Sequence, residues 1–160
     1  MDHRTLAALD VVAALKQAPD QASVIRILRA FGESFGFGHF CLTDLPADPN
    51  QQPHYYDAWP YGWGAHYLAN DLIRHDPVFR AMHVATEPFV WSDVVRVAPG
   101  TPEARVMELA KEGWGMHDGY AVPILSLTGA QASISFACDR EHGGREAGLP
   151  GPAGGHADVA

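Results

Sequence analysis

Two patterned segments within residues 119–139 constrain the fold more than any other part of the sequence. GYAVPILSL (119–127) and ASISFACD (132–139) are rich in apolar and β-forming residues, and Thr-Gly-Ala-Gln separates them at 128–131. This arrangement is typical of a β-hairpin, whose two strands run antiparallel. The hairpin therefore predicts a domain built around an antiparallel sheet.

Helical periodicity and further β-forming segments precede the hairpin. Apolar residues recur at helical spacing over 6–15 and 24–31, on either side of a break at Pro19-Asp20, so we expect two N-terminal helices. FGHFCLTDL (37–45) and HYYDAW (54–59) favour strands and predict an antiparallel pair.

Prolines mark the starts of three more helices. Proline at position 60 suits the first turn of a helix over 60–69, and Asp76-Pro77 combines an N-cap residue with proline at the first position of a helix through 78–85. Thr101-Pro102 begins another helix, whereas FVWSDVV (89–95) predicts a strand or extended segment. Together these elements predict an α+β sandwich around an antiparallel sheet.

Length and charge limit the classes of function. A chain of 160 residues accommodates one ordinary domain, which we place at 1–140, followed by a disordered Gly/Pro/Ala-rich tail at 141–160. The net charge of -8, with 11 scattered basic residues, argues against a nucleic-acid surface. No apolar run approaches the roughly twenty residues that span a membrane. The N-terminus lacks a signal-peptide pattern, so we expect a cytoplasmic protein.

The two cysteines and nine histidines form no recognisable metal or catalytic motif. Cys41 and Cys138 lack metal-ligand spacing and are interpreted as small buried apolar residues; a redox pair stays open if neighbouring strands bring them side by side. The histidines stand in no HExxH or comparable frame. We therefore expect no metal, no cofactor and no catalytic residues.

Aromatic residues are unusually dense between positions 59 and 67. Trp59, Trp63 and Tyr67 stand at i, i+4 and i+8 and would share one face of a helix. Such a stripe is either an aromatic core or the wall of a site for an apolar ligand with a polar head, because buried indole N–H and phenol O–H groups need partners. Asp76 also has two interpretations: the N-cap of a helix, or a carboxylate that accepts a hydrogen bond from a ligand amide.

Two longer motifs carry a family resemblance. WPYGWGAHYLANDLIRHDPVFRAMHVATEPFVWSD (59–93) has the frame W-x3-Y, then D-P, then P-x2-W. GWGMHDGYAVPI (113–124), with the following GAQASISFA (129–137), leads into the last hairpin. In these motifs the sequence resembles the autoinducer-binding domain of LuxR-type quorum-sensing regulators, over roughly residues 6–139.

The resemblance implies an α-β-α sandwich with a five-stranded antiparallel sheet, enclosing an N-acyl-homoserine lactone between the sheet and the short helices. Trp63 would donate its indole N–H to the lactone carbonyl, and Asp76 would accept the amide N–H of the ligand. Tyr67 and Trp91 would form aromatic walls, and Ser135 would reach the acyl carbonyl. The implied partner is thus a small-molecule autoinducer.

Two departures from the family pattern shape the expected function. Trp59 occupies a position where many members carry a tyrosine that bonds the acyl carbonyl, and the sequence stops before the helix-turn-helix domain that follows in the family's regulators. We expect a ligand-sensing domain without its own DNA-binding domain. It would sequester autoinducer or pair with full-length LuxR-type regulators as a heterodimer, and a homodimer of this chain is the other expected assembly. The alternatives are a truncated or frameshifted remnant with no stable function and, less favoured, a small lactone hydrolase.

Overall fold

The computed structural model describes residues 3–48, 51, 53–127 and 129–140. Its helices are α1 (His3–Gln17), α2 (Gln21–Ser34), α3 (Trp63–Ala69), α4 (Pro77–Met82), α5 (Trp91–Val94) and α6 (Pro102–Trp114), with a 3-10 helix at Leu72–His75. Its strands are β1 (His39–Asp44), β2 (Tyr55–Asp57), β3 (Phe89–Val90), β4 (Asp118–Leu125) and β5 (Gln131–Cys138). None of these helices has the length and apolar character that crossing a bilayer requires. The tail predicted at 141–160 lies outside the described residues.

The five strands form one sheet in the order β2-β1-β5-β4-β3, and every neighbouring pair is antiparallel. The predicted hairpin is the pair β4-β5, which begins with Asp118 opposite Cys138. Strand β1 lies on the other side of β5, with Cys41 opposite Ser135. The predicted α+β fold around a five-stranded antiparallel sheet is therefore confirmed.

Alternate side chains of the strands pack against two separate layers of helices. On the first face, which we call the α2 side, Phe136 packs with Leu28 of α2. On the second face, the α3 side, Ala137 belongs to a core that also contains Trp63 and Trp91. Successive residues of a strand point to opposite faces, so Phe136 and Ala137 contribute to different cores. The sheet is thus the middle layer of an α-β-α sandwich.

Polar side chains cap three helices where the sequence places helix starts. Asp20 accepts the N–H of Ser23 at 2.8 Å in the first turn of α2. The Thr101 hydroxyl accepts the N–H of Ala104 at 3.2 Å in α6, and Asp76 caps α4 in the same way. Each cap satisfies a donor that the helix itself leaves without a partner. The helix starts predicted at Asp76-Pro77 and Thr101-Pro102 are confirmed.

The predicted start of a helix at Pro60 is wrong. The helix begins at Trp63, after Gly62 with a φ of 89°. This left-handed conformation suits glycine, which has no Cβ to oppose it, and the chain turns over 60–62 instead of starting a helix.

The segment 89–95 also differs from its predicted extended form. Only Phe89–Val90 are in a strand, and Trp91–Val94 form one helical turn. The N–H of Ser92 donates to the carboxylate of Asp118 at 3.1 Å. This partner lies 26 residues later in the chain, so local sequence patterns could not reveal it.

Cys41 and Cys138 do not form the redox pair that the sequence left open. Their strands are neighbours, but Cys41 lies opposite Ser135, three positions before Cys138. Since side chains alternate along a strand, this odd offset directs the two thiols to opposite faces of the sheet. Both cysteines are buried, and no disulfide joins them.

We predict a large loss of stability when Phe136 is replaced by alanine. Its ring lies 6.4, 5.8 and 6.1 Å from those of Phe31, Phe37 and Phe40. The free energy of unfolding should fall by about 3–5 kcal/mol, because burial and packing are lost together. Chemical denaturation measures this change. Leu127→Ala, at the exposed tip of the hairpin, is the control and should stay within about 0.5 kcal/mol; equal losses in both variants would contradict the assignment of the core.

Candidate functional site

A cavity of about 110 Å³ lies on the α3 side of the sheet, beneath α3, α4 and α6. A single water molecule needs roughly 10–15 Å³, so this space suits a small organic molecule. All six residues predicted from the sequence as site residues line it: Trp59, Trp63, Tyr67, Asp76, Trp91 and Ser135. They come from five segments, namely the connection between β2 and α3, α3 itself, the N-cap of α4, α5 and β5. The fold therefore brings together residues that are up to 76 positions apart in the sequence.

Asp76 joins two helices through its carboxylate. Its Oδ1 accepts the backbone N–H groups of Val78 at 2.8 Å and Phe79 at 3.0 Å. Its Oδ2 accepts the hydroxyl proton of Tyr67, which lies on α3, at 2.8 Å. The carboxylate that begins α4 therefore also lines the cavity, so helix capping does not exclude a role in a site.

Burial changes the protonation equilibria of this pair. Loss of water raises the pKa of Asp76, and hydrogen bonds from Phe79, Tyr67 and Val78, with the charge of Arg80, offset part of the rise. Burial is also the main cause that raises the pKa of Tyr67, followed by the negative charge of Asp76 and the hydrogen bond between them. Tyr67 is therefore a protonated donor at neutral pH.

Trp91 connects the helical layer to the sheet. Its indole N–H donates to the hydroxyl oxygen of Ser135 at 3.2 Å, and both residues are buried. The ring of Trp59 packs edge-on against Trp91, with 6.4 Å between centroids. A hydroxyl accepts and donates at the same time, so Ser135 retains its proton for an acceptor in the cavity.

Trp63 is buried at the start of α3 among other rings. The ring centroids of Tyr67 and Trp114 lie 5.5 and 5.0 Å from that of Trp63. Within the part of the chain that the structure describes, its indole N–H donates to no protein acceptor. Trp59 precedes the helix, so the predicted stripe at i, i+4 and i+8 is wrong, although all three aromatic residues line the same cavity.

The cavity surface is largely apolar around a single carboxylate. Among the lining residues that the structure describes, Asp76 is the only acidic one, and none is lysine, arginine or histidine. Over the same described ranges, no group of three or more His, Cys, Asp and Glu side chains could hold a metal ion. This surface suits a ligand with one strong hydrogen-bond donor and a substantial apolar part.

The sequence patterns did not identify most of the apolar wall. Further lining residues include Cys41, Thr43, Met82, Val106, Met107 and Met116. The periodicity of α6 predicts a buried face that contains Val106, and alternation along β1 directs Cys41 and Thr43 to one side of the sheet. The methionines carry no local signal, because a flexible apolar side chain fills a core and lines a cavity equally well.

A family model and curated proteins similar to this chain indicate the same family. Residues 20–147 match the autoinducer-binding domain family. The chain is 34% identical over 135 residues to the transcriptional activator protein BjaR1 of Bradyrhizobium diazoefficiens, an alignment that covers 81% of this chain and 54% of that protein. The chain spans about half the length of the curated relatives it matches.

Solved structures share the fold at low sequence identity. The N-acylhomoserine lactone dependent LuxR family transcription factor CepR2 of Burkholderia cenocepacia superimposes with a TM-score of 0.71 at 16% identity, covering 88% of this chain and 81% of that chain. SdiA in complex with octanoyl-rac-glycerol superimposes with a TM-score of 0.69 at 17% identity, covering 91% of this chain and 57% of that chain.

The matching family and BjaR1 are described by ligand binding and transcriptional activation, not by an enzymatic reaction. The extent of the family match, together with the shared sandwich fold, establishes the relationship. The chain belongs to the family of autoinducer-binding domains of LuxR-type transcriptional regulators.

Proposed function

We propose that this domain senses an N-acyl-homoserine lactone or a similar amphiphile, bound in the cavity on the α3 side. One observation carries the proposal: five separate segments converge on an apolar space that contains one carboxylate. A ligand with an amide head and an acyl chain matches both properties of that surface.

Asp76 is the proposed acceptor for the ligand amide. An ionised carboxylate offers about four acceptor positions, and Asp76 uses three of them, for Val78, Phe79 and Tyr67. The remaining position can accept the amide N–H in a charge-assisted hydrogen bond, the stronger class of such bonds. Selectivity for an amide head would follow from this contact.

Three other residues have proposed roles at the ligand head. The indole N–H of Trp63 would donate to the lactone carbonyl, which would give it an acceptor that the described part of the protein does not provide. The hydroxyl of Ser135 would donate to the acyl carbonyl while it accepts from Trp91. Trp59 would contribute a flat apolar wall and a second indole N–H.

The apolar wall supports binding of the acyl chain. An acyl chain of about eight carbons would contribute on the order of 6 kcal/mol, at about 0.8 kcal/mol for each buried CH2. Two structural relatives support the same ligand class, since CepR2 is N-acylhomoserine lactone dependent and SdiA is in complex with octanoyl-rac-glycerol. Both ligands join a polar head to an acyl chain.

We also propose that this chain acts in the cytoplasm as a modulator of full-length LuxR-type regulators, by sequestering their autoinducer or by pairing with them. Its membership of the family supports this role. The net charge of -8 does not favour direct contact with nucleic acid by this chain.

Binding of the proposed ligand should stabilise the folded domain. Homoserine lactones with short, medium and long acyl chains should raise the temperature of unfolding, because they bind the folded state alone. At about a hundredfold excess over Kd the stabilisation is about 2.7 kcal/mol, or roughly 5–11 °C for a domain of this size. Scanning calorimetry measures the shift. The absence of a shift for every chain length would refute the proposed ligand class.

Removal of the charge of the Asp76 carboxylate should weaken binding of the lactone. Asp76→Asn should retain the helix cap, since asparagine caps as well as aspartate, but weaken lactone binding by roughly 10–100-fold through loss of a charge-assisted bond. Titration calorimetry measures the affinity. Asp20→Asn is the matched control, because Asp20 caps α2 away from the cavity. Equal affinities for the two variants would contradict the role of Asp76.

The pH dependence of binding provides a second readout for the same variants. Lactone affinity should fall as the pH is lowered through the pKa of Asp76, because the protonated carboxyl is a poorer acceptor. Burial raises that pKa, so the loss should begin at a higher pH than for an ordinary aspartate. The affinity of Asp76→Asn should not show this transition, and parallel profiles for the two proteins would count against the assignment.

A further inference from the structure

One buried carboxylate lies outside the cavity and has no part in the proposed ligand contacts. Asp118 is 1% exposed, and a carboxylate is costly to bury unless hydrogen bonds replace its water. Its Oδ1 accepts the N–H groups of Ser92 at 3.1 Å and Gly119 at 2.8 Å. Its Oδ2 accepts the hydroxyl proton of Ser92 at 2.7 Å. Ser92 thus provides two donors to this carboxylate.

These hydrogen bonds hold the single helical turn α5. So short a helix is unstable by itself, because the cost of nucleation is not recovered by further turns. Its N-cap residue, Val90, provides no side-chain cap. Asp118 replaces that cap from the sheet, since it accepts an N–H of the first turn as an N-cap side chain does.

The same arrangement fixes the ring of Trp91, the residue before Ser92. A Cβ atom at Gly119 would collide with the Trp91 ring and with the carbonyl oxygen of Phe136. The indole therefore lies directly against the backbone of β4, a position that only glycine permits. From there its N–H donates to Ser135 at 3.2 Å.

We infer that Asp118 and Ser92 are positioning residues for the head-group end of the ligand site. They orient the Trp91 indole, and this indole occupies one lone pair of the Ser135 hydroxyl and so directs its proton toward the cavity. The inference rests on the proposed function, in which that proton is donated to the acyl carbonyl of the ligand.

Ser92→Ala is the most direct test, because it removes the hydroxyl bond and leaves the backbone N–H of residue 92 bonded to Asp118. Affinity for N-octanoyl-homoserine lactone should fall about five- to tenfold, the usual effect of one hydrogen bond. Ser92→Thr keeps a hydroxyl and should restore most of the affinity. Ser34→Ala is the matched control, since Ser34 is an exposed serine of α2 whose hydroxyl makes one bond, to the Phe31 carbonyl at 2.7 Å; its affinity should not change.

A thioamide analogue of the same lactone separates positioning from general damage to the fold. Its sulfur is a poor acceptor, so the wild-type protein should prefer the normal amide. In Ser92→Ala this preference should shrink, because Ser135 no longer presents its proton correctly. A loss of affinity by the same factor for both ligands would overturn the inference.

A readout without ligand distinguishes failure of this inference from failure of the proposed function. The four tryptophans give four indole N–H signals in the nitrogen-15 NMR spectrum, and Trp91→Phe assigns the signal of Trp91. Ser92→Ala should shift this signal and speed its exchange with water, whereas Ser34→Ala should leave it unchanged. An unmoved signal would overturn the inference even if lactone binds. A shifted signal supports the inference that Ser92 orients the Trp91 indole, even if no lactone binds. The absence of lactone binding would then refute only the proposed ligand.

Discussion

The pairing of the Asp76 carboxylate is the interaction on which the cavity wall depends. A carboxylate removed from water has to recover its hydrogen bonds within the protein. Asp76 recovers them from the first turn of α4 and from the Tyr67 hydroxyl on α3. One side chain thus caps a helix, joins two helices and places a carboxylate in the wall of the cavity. A fourth acceptor position remains for a ligand.

The cavity exists because the two faces of the sheet carry side chains of different size. On the α2 side, Phe40 and Phe136 fill the space beneath the helices. On the α3 side, β1 and β5 present Cys41, Thr43 and Ser135 to the cavity, and these side chains are small and buried. Small residues on one face leave a gap that the overlying aromatic residues surround but do not fill. The sheet is therefore both the core of the fold and the floor of the site.

Local signals in the sequence predicted the parts of the fold that local chemistry determines. The hairpin of β4 and β5 and the helix starts at Asp76 and Thr101 follow from turn and cap preferences within a few residues. The helical turn at Trp91 could not be predicted in this way, because it depends on a carboxylate 26 positions away. The predicted start of α3 was wrong. Proline at position 60 favours a helix start there, but the left-handed conformation of Gly62 places the first helical residue at Trp63.

Aromatic density and the Asp-Pro helix start already indicate Trp59, Trp63, Tyr67 and Asp76, and the family resemblance adds Trp91 and Ser135. The fold brings all six to one cavity. Their individual contacts with a ligand stay predictions. The cavity wall beyond them depends on how helices pack over the sheet, and a side chain such as Met107 has no pattern that distinguishes wall from core.

The assembly of the site from five segments also has an evolutionary consequence. Trp59 lies in the connection between β2 and α3, Trp91 in a single helical turn and Ser135 in a central strand, so each wall residue depends on a different local structure. A substitution in one segment can reshape one part of the cavity while the sheet and the Asp76 network stay intact. Ligand preference in such a domain can therefore diverge by single substitutions.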